Sequence, residues 1–64
     1  MVHPKYKIIQ ITENKNNITE ETVSKQLMFK CDAERIVNYQ NQYWGINKPD
    51  YKLYWIIKEY TKGN

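Results

Sequence analysis

Apolar and polar positions alternate in three stretches of this chain and recur with helical spacing in a fourth. The first stretch, "KYKIIQIT" (5–12), is β-branched and short enough to predict a strand. One of its faces carries Lys7, Ile9 and Ile11, the other Tyr6, Ile8 and Gln10, because successive side chains of a strand point opposite ways. The second, "TVSKQLMFK" (22–30), sets Val23, Lys25, Leu27 and Phe29 against Thr22, Ser24, Gln26, Met28 and Lys30. The more apolar set should face the core. The last, "YKLYWIIKEY" (51–60), carries large groups on both sides: Tyr51, Leu53, Trp55 and Ile57 against Lys52, Tyr54, Ile56, Lys58 and Tyr60.

Between these, "CDAERIVNYQNQYWG" (31–45) changes period. Ala33, Ile36, Val37, Gln40, Tyr43 and Trp44 form one helical stripe. Asp32 and Glu34 suit the positive end of the helix dipole. Cys31 or Asp32 is expected to cap the helix, and Gly45 to end it in the left-handed conformation. The polar run 13–20, rich in Asn, reads as a mobile hairpin loop. The run "INKPD" (46–50) reads as a return loop, and 61–64 as a frayed tail.

The order is strand, strand, helix, strand. It predicts a single α+β domain over 1–64: a β-β-α-β fold with a three-stranded antiparallel sheet in the order 2-1-3 and one helix packed on one face. In this arrangement the helix rests on Ile9, Ile11, Val23, Leu27, Phe29, Leu53, Trp55 and Ile57.

One helix covers one face. The other would then expose Tyr6, Ile8, Gln10, Met28, Lys52, Tyr54, Ile56, Lys58 and Tyr60. A monomer rarely exposes a wide apolar patch unless the patch binds something, and tyrosine suits interfaces by joining an apolar ring to a hydroxyl. Tyr6, Ile8, Met28, Lys52, Tyr54, Ile56, Lys58 and Tyr60 are therefore the expected partner-binding residues.

Composition narrows the partner. Ten Lys and Arg against seven Asp and Glu give a net charge of +3, which permits nucleic acid or an acidic protein surface without demanding either. Arginine favours bidentate base and phosphate contacts, yet Arg35 stands alone on the helix. Stacking by the tyrosines with lysines on phosphates is the alternative to protein binding. A single cysteine, Cys31, excludes an internal disulfide and fits a reducing compartment. His3 and Cys31 are too few for a zinc site of their own. The sequence contains no glycine-rich phosphate loop and no nucleophile–base pairing. No enzyme, cofactor or small-molecule substrate is therefore expected. No apolar run reaches membrane-spanning length and no signal peptide is evident, so a cytoplasmic setting without membrane contact is expected.

Ile, Lys, Asn and Tyr make up 30 of the 64 residues. Their codons are AT-rich, which points to a low-GC bacterial setting and, with the small size, to a phage or mobile-element accessory protein. The reading is of a factor that binds and inhibits a host protein, self-associating as a homodimer because so small a core needs support.

Overall fold

The computed structural model describes residues 3–60. It contains β1 (Tyr6–Asn14), β2 (Ile18–Thr22), α1 (Lys30–Trp44), β3 (Ile46–Lys48) and β4 (Tyr51–Glu59). The strands form one antiparallel sheet in the order β2-β1-β4-β3, and α1 packs on one face of it. The α+β class and the antiparallel placing of the last strand beside the first agree with the sequence. The expected tail 61–64 lies outside the described residues.

Three local departures have physical causes. The first is a fourth strand. Ile46–Lys48 pairs with Tyr51–Leu53 across the turn at Pro49–Asp50, in the run expected to be a plain return loop. Pro49 presets the turn dihedral. No described non-glycine residue has positive φ, so this is not one of the primed turns that match strand twist. The ladder stops after three residues.

The second departure is the early end of β2. The expected strand 22–30 is replaced by a strand at 18–22, and the expected loop 13–20 contracts to Lys15 and Asn16 between the mutually bonded Asn14 and Asn17. Beyond Thr22 the ladder is interrupted. Val23 N donates to Ile8 O, but the Ile8 N–H donates to the Ser24 hydroxyl, at 3.0 Å, instead of to a backbone carbonyl. A serine side chain can displace a ladder bond in this way. The five residues Val23–Leu27 bulge out opposite Lys7 and Ile8 before Met28 pairs with Tyr6 again. Val23, Leu27 and Phe29, expected in the core, are exposed as a result.

The third is the choice of face. Register places Ile8 opposite Ile57 and Gln10 opposite Trp55, so these share one side of the sheet. The helix lies on that side: Ile8, Ala33, Val37 and Trp55 form the buried cluster, with Tyr6, Met28, Leu53 and Ile57 packed against it. For β4 the expected trio Leu53, Trp55 and Ile57 is indeed beneath the helix. For β1 the parity is reversed: Tyr6 and Ile8 face the helix, and Ile9 and Ile11 face away. A one-residue error in choosing the inner face moves every side chain of a strand.

The helix ends also differ from expectation. Phe29 occupies the N-cap position without a side-chain cap, and Asp32 lies in the first turn. Gly45 is extended, at φ −66° and ψ 144°, and not left-handed. Its value is space: a Cβ there would lie 2.5 Å from the Asn41 carbonyl oxygen. The chain thus passes from helix to strand across one residue.

Candidate functional site

On the side away from the helix, β1 contributes Lys7, Ile9, Ile11 and Glu13, and β4 contributes Lys52, Tyr54, Ile56 and Lys58. The register of β2 adds Ile18, Glu20 and Thr22. Of the eight expected binding residues, this open face gathers Lys52, Tyr54, Ile56, Lys58 and Tyr60. Tyr6, Ile8 and Met28 belong to the helix side and are corrected accordingly. Tyr60 extends the row beyond β4, its backbone N–H donating to Lys5 O at 2.7 Å.

The open face is less bare than a strand count suggests. Ile9 and Ile11 are each 4% exposed, as deeply buried as Ile8 at 3% beneath the helix. Their cover comes from neighbouring strands. Lys58 on β4 reaches Glu20 on β2, Nζ to Oε1 4.0 Å, in a diagonal passing over β1 near Ile9. Beside Ile11, the Tyr54 hydroxyl donates to the Glu13 carboxylate at 2.5 Å. This bond, followed by desolvation, holds the Tyr54 phenol above its ordinary pKa. Long side chains with polar tips can roof apolar neighbours in this way.

What stays accessible spans the face, from Ile18, 68% exposed on the edge strand β2, to β4. Ile56 is 38% exposed near the middle of β4 and Tyr60 45% exposed at its end. Lys7 lies over the Tyr60 ring, Nζ 5.4 Å from its centroid. At the neighbouring corner Lys5 pairs with Glu59 at 3.0 Å, and that hydrogen bond and charge raise the lysine's pKa. The surface therefore offers Ile56 and Tyr60 on one side and Ile18 on the edge strand β2 on the other, among Lys7, Lys52 and Lys58, with Glu13 engaged by Tyr54 and Glu20 by Lys58.

The helix carries a second exposed region, of which the sequence pattern assigned Ile36, Tyr43 and Trp44 to the core. Asn41 and Trp55 explain why. Asn41 Nδ2 donates to Trp55 O at 3.0 Å, and Trp55 N donates to Asn41 Oδ1 at 2.8 Å. Even-numbered residues of β4 turn their backbone bonds toward β1, as Tyr60 does, so Trp55 presents its own to the opposite edge. The carboxamide takes the ladder position that β3 stops short of filling. This ties the Asn41 side of the helix to the outer edge of β4. By helical geometry the other flank, bearing Ile36, Tyr39 and Tyr43, leans the opposite way. There Tyr39 is 58% exposed and Tyr43 62%; Trp44, also 62% exposed, lies about 100° further round at the end of the helix. The signal available in the sequence was excess: the apolar arc from Ala33 round to Tyr43 is wider than one sheet contact can absorb.

Cys31 and His3 are both exposed. Among the described residues no three His, Cys, Asp or Glu side chains gather as a metal set, and no helix is long and apolar enough to cross a membrane.

No protein-family model, curated protein or solved structure matches this chain. Function has to be read from the surface itself.

Proposed function

We propose that this chain is a non-enzymatic protein-binding module. Its open sheet face seats an acidic, partly apolar surface of a host protein and blocks it. In this reading it is an accessory factor of a phage or mobile element, acting in the cytoplasm of a low-GC bacterium. The observation that carries the proposal is the exposed Ile56, set among Lys7, Lys52 and Lys58 with Tyr60 at the end of the row. An apolar centre with a charged rim is the usual anatomy of a transient interface. Lysines at the rim steer an acidic partner more than they hold it.

Nucleic acid is the second reading, favoured by Tyr60 with Lys7 over its ring, since bases stack on tyrosine while lysines meet phosphate. The carboxylates of Glu13 and Glu20 lie on the same face and oppose a polyanion there.

The test compares the wild-type chain with an Ile56→Lys/Tyr60→Ser variant, both immobilised and exposed to lysate of a low-GC bacterium. A protein retained by the first and lost by the second supports the proposal. One retained equally by both removes the sheet face from it. Retention that disappears after nuclease treatment and weakens steeply with salt transfers the function to nucleic acid.

A further inference from the structure

Two registers meet in one strand pair. Ile9 faces Thr22 and Gln10 faces Glu21, but Tyr6 faces Met28. Four steps along β1, from Gln10 to Tyr6, thus oppose seven along the chain, from Glu21 to Met28, and the bulge Val23–Leu27 holds the three residues in excess. The backbone is in phase on both sides of the bulge. Tyr6 and Met28 exchange two bonds, at 3.0 and 2.8 Å, and Asn14 and Asn17 exchange two at the hairpin end, at 2.7 and 3.2 Å. Even-numbered residues of β1 therefore turn their bonds toward the β2 side throughout, and either register can run the full length.

We propose that β2 slides by three residues, so that the register of Met28 extends along the whole of β1. The excess then passes from the bulge to the hairpin, whose two-residue turn Lys15–Asn16 becomes a five-residue loop, Lys15–Thr19. Loops of both lengths join antiparallel strands. In the slid register Ile8 exchanges both backbone bonds with Gln26, and Gln10, Thr12 and Asn14 do so with Ser24, Thr22 and Glu20. No ladder bond is given up, and the Ile8 N–H recovers a backbone carbonyl in place of Ser24 Oγ, its present acceptor at 3.0 Å. The anchors do not move: Met28 stays opposite Tyr6, and α1 still begins at Lys30. The strand that alternation predicts over 22–30 is this slid strand.

Three is odd, so the slide turns β2 over. The open face loses Ile18, Glu20 and Thr22 and gains Glu21, Val23, Lys25 and Leu27. Val23 and Leu27, now 44% and 38% exposed, come to lie opposite Ile11 and Lys7, and Lys25 opposite Ile9. Two effects favour the observed register. Lys58 keeps its contact with Glu20, at 4.0 Å. Glu21 is also spared a position opposite Glu13, where like charges repel. The strand itself offers little resistance, because all five residues of β2 are exposed and none is committed to the core. Register is weakly specified where no face is buried. The slide stands on backbone register alone, and its use rests on the sheet-face reading. An acidic, partly apolar partner meets a longer apolar row and one more cation on the slid strand, and so draws the chain into that register.

Disulfide capture in a Cys31→Ser background reads the slide. Glu13→Cys/Ile18→Cys pairs in the observed register, and Glu13→Cys/Glu21→Cys only in the slid one. Both are non-hydrogen-bonded pairs, whose side chains approach most closely. Glu13→Cys/Thr22→Cys pairs in neither register and closes a loop of nearly the same length, so it measures closure through unfolding. In a glutathione buffer at micromolar protein, Glu13→Cys/Glu21→Cys should close about tenfold faster than Glu13→Cys/Thr22→Cys. Adding Ser24→Ala, which strands the Ile8 N–H in the observed register alone, should speed the former about fivefold and leave the latter unchanged. Equal rates for the two pairs, or a Glu13→Cys/Glu21→Cys rate indifferent to Ser24→Ala, overturn the proposal. No partner is present in this measurement, so its failure and that of the sheet-face reading are told apart.

Discussion

The two faces of this sheet bury isoleucine equally well by different means. Ile8 lies beneath a helix and against Trp55, with Ala33 and Val37 above it. Ile9, its neighbour in sequence, lies on the side with no helix, under side chains reaching across from β2 and β4. The first cover is an element held by its own backbone hydrogen bonds. The second is a set of long side chains whose polar tips meet one another. Burial of a residue in a static structure thus does not reveal whether its cover is permanent.

The largest test of this contrast is Trp55→Ala. Removing the ring that fills the helix side should cost about 3–5 kcal/mol, enough to unfold much of a marginal domain in a denaturant titration. The matched pair Ile8→Ala and Ile9→Ala sharpens it. Both residues are nearly inaccessible, yet Ile8→Ala should cost about 3 kcal/mol and Ile9→Ala nearer 2 kcal/mol, because flexible cover can collapse into the space. Equal losses in urea unfolding would show the arms to be as rigid as the helix.

Smaller effects follow at the helix tether. Gly45→Ala forces a methyl against the Asn41 carbonyl and should cost about 1–3 kcal/mol. Asn41→Ala leaves the Trp55 N–H and C=O without their partners and should cost a similar or slightly smaller amount. Thermal unfolding of both variants checks this.

The smallest effect is a titration. Tyr54 is held above its ordinary value of 10.0 by its bond to Glu13. The folded state therefore favours the neutral phenol. The stability this bond contributes is whole below the unfolded pKa and is lost as pH rises through the higher folded one. Tyr54 should ionise later than a free phenol by ultraviolet absorbance, and Glu13→Ala should bring it back toward the ordinary range.

The helix, the final strand and its inner face were legible because each rests on a long periodic run. Trp55 and Leu53 dominate one side of β4, and no alternative register could hide them. The short strand Ile46–Lys48 was not legible, since three residues carry too little pattern to separate a strand from a loop. The inner face of β1 was ambiguous for a physical reason. As an interior strand it buries Ile8 on one side and Ile9 and Ile11 on the other, so the richer side need not be the helix side. The expected interface was half legible: Lys52, Tyr54, Ile56, Lys58 and Tyr60 share the open face, while Tyr6 and Ile8 were assigned to it by that same parity and Met28 by reading 22–30 as an unbroken strand. The bulge at Ser24 left no periodic trace, because one hydroxyl taking a backbone bond is a local competition that hydropathy does not record.

The Asn41 carboxamide has a consequence for solubility. The run Leu53–Ile57 is apolar, β-prone and uncharged, the composition that seeds cross-strand fibres when its edge is open. A side-chain amide seated on Trp55 denies that edge to an incoming strand, and Lys52 and Lys58 stand as gatekeepers at either end. Loss of Asn41 would therefore be felt beyond two hydrogen bonds, as a tendency of concentrated protein to form fibrils.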